Sequence, residues 1–155
     1  MANAWLSPTG YEDPESAWVN EPWAYDDDTY YPASNDFLAH GAQFLNLLHA
    51  VLSCTKVRVW VSGDHCTVDS VDIDVYDNGD LTWHHVYEGA IAVGEWVEKV
   101  LDTQRNITKL RLKAQCTQTA PAPLFYFHEA DFWEAVGIQD KSANMATQMI
   151  AVGAL

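Results

Sequence analysis

At 155 residues and 48% hydrophobic, the chain has the length of one domain and enough apolar material for a core. Its 22 acidic against 8 basic residues give a formal charge of −14 at pH 7. That surface argues against nucleic acid and anionic membrane as partners, because both need a basic footprint.

The front of the chain is acidic and aromatic. Lys and Arg are absent before Lys56, while Glu12, Asp13, Glu15, Glu21, Asp26, Asp27, Asp28 and Asp36 crowd this region. It reads either as a solvated face or as a cation site. Pro8, Gly10, Pro14, Pro22 and Pro32 make residues 1–36 irregular rather than helical. Trp5, Tyr11, Trp18, Trp23, Tyr25, Tyr30 and Tyr31 lie inside it, and disordered segments are poor in aromatics. An ordered segment packed over the domain is therefore expected. Trp18 and Trp23 read as covers of the core edge or as ligand-facing rings.

Residues 37–52 fit two patterns, an amphipathic helix and a strand buried on both sides, and periodicity does not choose between them. Residues 56–61, Lys-Val-Arg-Val-Trp-Val, read as a strand closed by Ser62-Gly63-Asp64. Residues 71–76 alternate strictly: Val71, Ile73 and Val75 face a core, and Asp72, Asp74 and Tyr76 face water. Asp77-Asn78-Gly79-Asp80 is a hairpin turn, since Asn and Gly adopt positive φ cheaply. The returning strand, 81–87, offers Leu81, Trp83 and Val86 to the core. Further expected elements are a short strand at 90–93, a strand at 95–101, a turn at 102–106 and a strand at 107–113. The last strand, 124–134, carries large apolar residues on both sides, so a central position is expected. Trp60, Trp83 and Trp96 are expected in the core. Short strands about every ten residues make an all-β sandwich or barrel.

No G-x-S-x-G, H-E-x-x-H, P-loop or G-x-G-x-x-G is present, and no enzyme is expected. Asp64-His65-Cys66 is a possible ligand trio, but it is too compact to be a specific signal and reads better as a turn. His84 and His85 are adjacent, so on a strand they point to opposite faces. Glu95 and Glu98 flank Trp96, but such carboxylate pairs are common in an acidic chain. Cys54, Cys66 and Cys116 contain no C-x-x-C; a zinc site is not expected, and one disulfide is left open. Residues 1–20 show no signal peptide, and no stretch approaches the ~18 apolar residues of a membrane span. The sharper feature is Trp23-Ala24-Tyr25-Asp26-Asp27-Asp28-Thr29. Three carboxylates, backbone carbonyls and a hydroxyl supply the hard oxygen ligands that Ca²⁺ prefers.

The ordered series A-Y-D-D-D-T, K-V-R-V-W, V-D-I-D-V-Y-D-N-G, G-E-W-V-E-K, I-T-K-L-R-L-K and F-Y-F-H-E-A-D-F-W-E resembles the galactose-binding-like, or discoidin-like, jelly-roll domains. Among these it resembles stand-alone versions in tailed bacteriophages. The resemblance covers roughly residues 11–136, after an arm at 1–10 and before a tail at 137–155. It implies an antiparallel β-sandwich jelly roll and favours strand over helix at 37–52. It also implies a structural Ca²⁺ where an early loop meets a Glu of the last strand; the matching positions are Ala24, Asp26, Asp28, Thr29 and Glu129, with Asp27 where Gly is common. Sugar contacts in such domains come from loop aromatics, which here are Trp18, Tyr30 and Tyr31, with His65 beside them. Two functions follow as expectations. The first is a virion structural or decoration protein, assembled in the host cytoplasm and bound to itself or other virion proteins through the uncharged 142–155 tail. The alternative is a glycan-binding module that attaches a particle or enzyme to a cell surface.

Overall fold

The computed structural model describes residues 3–135. The 137–155 tail therefore lies outside the described residues. The elements are β1 Ala4–Leu6, β2 Gly10–Glu12, β3 Trp18–Val19, a 3-10 turn Glu21–Ala24, β4 Ala33–Asn35, α1 Phe37–His40, β5 Leu45–Asp64, β6 Cys66–Asp77, β7 Thr82–Gly89, β8 Trp96–Gln118 and β9 Leu124–Glu134. All pairings between strands are antiparallel, in the order β3-β4-β9-β5-β8-β6-β7, with β1 on β9 and β2 on β5.

Two long strands turn this one ladder into a sandwich. β5 has 20 residues and β8 has 23. Their shared register breaks between Leu48 and Leu52 and again between Cys54 and Lys56. At the second break residues 101–104 oppose Thr55 alone, because Cys54 pairs with Arg105 and Lys56 with Val100. Such extra residues bend a strand and raise its twist. The first part of β5 consequently joins β2 and the later part of β8, and the second part joins β9 and the start of β8. One core lies between the two layers. Val57, Val59, Val61, Phe125, Phe127 and Phe132 enter it from one side, and Leu45, Leu47, Ile73, Leu110 and Leu112 from the other, each at most 1% exposed. The molecule is the antiparallel β-sandwich jelly roll that the sequence leads one to expect.

The hairpin of β6 and β7 follows its pattern on the core side, where Val71, Ile73 and Val75 are buried; on the other side Asp74, expected in water, is 7% exposed and pairs with Arg111 at 2.7 Å. Several local expectations need correction. Residues 37–52 are neither one helix nor one strand; Asp36 caps the four-residue α1 through the Ala39 N–H, Gly41 ends it, and β5 starts at Leu45. The expected turn at 102–106 is the polar bend inside a continuous β8, where Arg105 pairs with Asp102 at 2.9 Å and with Asp77 at 3.2 Å. Residues 90–93 form no strand, although Ile91 packs on the core. Leu81 belongs to the turn, not the core; it is 65% exposed at a φ of 59°. A left-handed conformation strains a side chain that gains nothing from burial. Leu81→Asn is therefore expected to stabilise the protein by about 0.5–1 kcal/mol. A melting curve that moves down rather than up would contradict this.

Trp60, Trp83 and Trp96 are on the outer faces rather than in the core. Each is half-buried because a cation lies on its face or beside its neighbour. The Arg58 guanidinium lies 4.0 Å from the Trp96 ring and 4.4 Å from the Trp5 ring, and Trp60 packs edge-on against Trp96. In the other layer Arg111 lies between Phe44 and Trp83, at 4.1 and 4.2 Å. Cation–aromatic attraction and the aliphatic stem of arginine let such rings sit outside the core.

Candidate functional site

The site is built where the acidic front segment crosses the outer face of β5 and β9. β9 pairs with β5 through a bulge at His128: Trp60 faces Glu129, whereas Val61 faces Phe127. The extra residue reverses the alternation within β9. Phe125 and Phe127 point inward before it, and Ala130 and Phe132 point inward after it. Tyr126 and His128 are left on the outer face beside Ser62, which pairs with Tyr126. This explains why both sides of the strand look apolar in the sequence.

A pocket of about 420 Å³ opens on this face, lined by Asn20, Trp23, Tyr30, Pro32, Ser34, Ser62, Gly63, Asp64, Leu124, Tyr126 and His128. Trp23 and Tyr30 are 38% and 76% exposed and form its aromatic wall. Tyr31 braces both, with ring centres 5.3 Å from Trp23 and 4.8 Å from Tyr30. The wall is held by short-range turns. Asn20 takes the left-handed conformation before the 3-10 turn, and the Asp28 carboxylate accepts the Tyr30 N–H at 2.8 Å. Gly63 lines the pocket with its backbone, and a larger residue does not fit there, because a Cβ would meet the Cys66 sulfur at 2.7 Å.

The polar floor has a defined hydrogen-bond direction. His128 Nδ1 is 2.7 Å from the Thr29 carbonyl and Nε2 is 2.6 Å from Ser62 Oγ. A carbonyl only accepts, so Nδ1 carries the proton. Burial pushes the imidazole pKa below its ordinary value and keeps the ring neutral. Nε2 then accepts from Ser62, whose lone pairs remain for a ligand hydroxyl. Asp64 adds a carboxylate at the rim, with the Tyr126 hydroxyl 3.5 Å from one oxygen and His65 Nε2 3.7 Å from the other. These are groups that can hold and orient a small polyhydroxyl ligand against aromatic faces.

Next to the pocket lies a cluster of carboxylates. Glu129 is 1% exposed, and its Oε2 has no hydrogen-bond partner. Burial, with repulsion from Asp131, Asp26 and Asp27, raises its pKa to about 8. Asp27 adopts a φ of 63°, which is the backbone state that a glycine would supply there. The Ser7 hydroxyl sits between Asp27 and Asp131. Ala24 is fully buried at the end of the 3-10 turn, which packs on β9. Asp26 accepts the Asp28 N–H at 3.0 Å. The Asp28 side chain turns to Tyr30, and the Thr29 carbonyl is taken by His128.

Of the sequence-predicted ligand residues, Tyr30 lines the pocket and Tyr31 supports it. Trp18 must be removed from the set. It is 5% exposed, packs edge-on against Phe125 and Phe127, and gives its indole N–H to the Gln43 carbonyl. His65 is exposed in the β5–β6 turn at a φ of 54°, with Nδ1 2.7 Å from the Pro121 carbonyl; it touches Asp64 without lining the pocket. Ser62, Tyr126 and His128 are not singled out by the sequence, and Asp64 stands out there only within the Asp64-His65-Cys66 trio, which reads as a turn. The period-two spacing of Ser62 with Asp64 and of Tyr126 with His128 placed each pair on one face, but nothing marked that face as a site. Two further acid–histidine groups, Asp72-Asp74-His85 and Asp77-Asp80-His84, lie on the other layer. Both are engaged by cations: Arg111 on Asp74, Lys113 on Asp72 and Arg105 on Asp77. The three cysteine thiols are free.

No protein-family model and no curated protein sequence matches the chain. Solved structures do match its fold. The F5/8 type C domain of a Bacteroides fragilis protein aligns over 84% of this chain and 96% of its own, with TM-score 0.59 and 13% identity. The family 32 carbohydrate-binding module of Clostridium perfringens NanJ, solved in complex with galactose, aligns over 86% and 93%, with TM-score 0.55 and 16% identity. The family 32 module of AlyQ, solved in complex with 4,5-unsaturated mannuronic acid, aligns over 85% and 99%, with TM-score 0.60 and 10% identity. The chain thus has the galactose-binding-like fold of the discoidin type.

Proposed function

We propose that the chain is a non-catalytic glycan-binding module, that its sugar site is the pocket walled by Trp23 and Tyr30, and that Ca²⁺ joins the acidic loop to β9. The observation that carries the first part is the pocket itself: exposed rings face a floor of neutral and acidic hydrogen-bonding groups in one open cavity. The two neighbours solved with sugars support the reading. Galactose is uncharged and mannuronic acid carries a carboxyl, so the shared fold leaves ligand charge to each pocket. The virion role expected from the sequence draws no support from these neighbours, and the tail on which it relied lies outside the described residues.

Calorimetric titration with a panel of neutral hexosides and their oligomers tests the site. Tyr30→Ala and Trp23→Ala are each expected to weaken binding at least roughly tenfold, because central aromatic anchors dominate small interfaces. Both rings are exposed, so the melting temperature should barely move. Unchanged affinity in both variants would place the sugar elsewhere.

An unpartnered buried carboxylate supports the calcium reading, although among the described residues the acidic loop and Glu129 do not already form a compact ligand set. Glu129 Oε2 is a buried carboxylate oxygen without a partner, and Asp26 and Asp27 already act on it electrostatically. Hard oxygens of this kind suit Ca²⁺. Glu129 and Asp26 would hold it, with Asp27 beside them; Asp28 and the Thr29 carbonyl, expected from the sequence as ligands, are engaged by the Tyr30 N–H and by His128. The ion would neutralise carboxylates that otherwise repel and tie the loop carrying Tyr30 to β9.

A further inference from the structure

We propose that Asp64 is a specificity-determining residue that admits neutral and amino sugars and excludes carboxylated or sulfated ones; this rests on the glycan reading above. Asp64 is the only charged side chain among the described residues that line the cavity. None of those residues is Lys or Arg, so no cation stands ready to receive an anionic substituent. Its carboxylate is 49% exposed at the rim. Its two contacts, from Tyr126 at 3.5 Å and His65 at 3.7 Å, are long and leave both oxygens able to accept more.

The remaining polar groups match this preference. His128 is neutral and spends its one proton on the Thr29 carbonyl. The Ser62 proton goes to His128. Neither can donate to an anion, and both oxygens of Asp64 accept. These three groups therefore present acceptors, which suit the hydroxyl and ammonium donors of a sugar, and the donors that also line the cavity, on Asn20, Trp23, Tyr30, Ser34 and Tyr126, carry no charge. A ligand carboxylate there would face acceptors and a like charge. Like charges brought together at the rim oppose binding, and solvent at the half-exposed Asp64 keeps the effect modest.

The test is calorimetry with matched 6-hydroxyl, 6-carboxylate and 2-amino forms of galactose, glucose and mannose, on wild type and Asp64→Asn, at low and high salt. Wild type should bind at least one neutral or amino form and bind its carboxylate partner at least roughly tenfold more weakly. Asp64→Asn should lift the carboxylate form by about the same factor and weaken the amino form. If wild type binds neutral and carboxylate forms equally, the charge filter is wrong while the glycan module stands. If exclusion vanishes at high salt in both proteins alike, the net charge and not Asp64 is responsible, which also overturns the proposal. If no sugar of any charge binds, the glycan reading itself fails.

Discussion

Arg58→Ala is expected to cost about 3–5 kcal/mol of stability, the usual penalty for leaving a buried charge without its partner. Arg58 directs Nε and Nη2 at one oxygen of Asp131, at 2.8 and 2.6 Å. Asp131 is 5% exposed, so water cannot replace the guanidinium. The same side chain separates the Trp5 and Trp96 rings, and its loss opens the contact between β1 and the sheet. At ~2–4 °C per kcal/mol for a chain of this size, the melting temperature should fall by about 10 °C. Arg58→Lys should recover only part, because an ammonium cannot make the forked contact or stack between two rings. Adding Asp131→Asn to Arg58→Ala should restore stability by removing the stranded charge. A loss below about 1 kcal/mol for Arg58→Ala would mean that Asp131 is hydrated and that the packing described here is wrong.

Calcium removal should have the second large effect. A ligand held only by the folded state stabilises it by ~2.7 kcal/mol at a hundredfold excess over its dissociation constant. EDTA should lower the melting temperature by several degrees, Ca²⁺ should restore it, and Glu129→Gln should abolish the response. The pH dependence supplies an independent check. With its folded pKa raised to about 8, metal-free Glu129 keeps a proton that the unfolded chain gives up near its ordinary carboxyl pKa of 4.5. Between those values the folded state binds more protons, so this group's contribution makes the metal-free protein less stable as pH rises. Glu129→Gln cannot lose the proton and should flatten that slope. A metal-free protein whose stability is the same at pH 5.5 and pH 8 in both forms would show that Glu129 is solvated.

Much of the fold was legible because local patterns agreed with the tertiary structure. Val71, Ile73 and Val75 alternate in an unbroken stretch of β6, and the Asn-Gly pair marks the turn that follows. Legibility failed where the strand being read itself carried the extra residue, as β9 and β8 do; in the β6–β7 ladder the extra residue lies in β7 and leaves the alternation of β6 intact. The bulge at His128 switches which side chains of β9 face inward, so neither alternating set matches the core by itself. The polar run at 102–106 looks like a turn, yet it is the outward bend that lets β8 serve both layers. No local signal separates those two cases, since both expose polar residues. The tryptophans failed for another reason. Hydrophobicity assigns Trp60, Trp83 and Trp96 to the core, whereas Arg58 of β5 covers Trp96 of β8, against which Trp60 packs, and Arg111 of β8 reaches across β6 to cover Trp83 of β7.

The site was partly legible for similar reasons. The acidic loop and Tyr30 stand out by composition. Trp18 looks like a loop aromatic because its strand, β3, is only two residues long. Ser62 and Asp64 lie 62 to 66 residues from Tyr126 and His128 in sequence, and only the β5–β9 pairing brings them to one face.

The most direct test of the glycan pocket is an amide-correlation NMR titration of the ¹⁵N-labelled chain with the tightest neutral or amino sugar of the panel. The account predicts saturable shifts centred on Asn20, Trp23, Tyr30, Ser62, Asp64 and His128, with the β6–β7 hairpin unmoved. Saturable shifts centred on that hairpin or on the 102–106 bend, or none with any sugar at millimolar concentration, would contradict it.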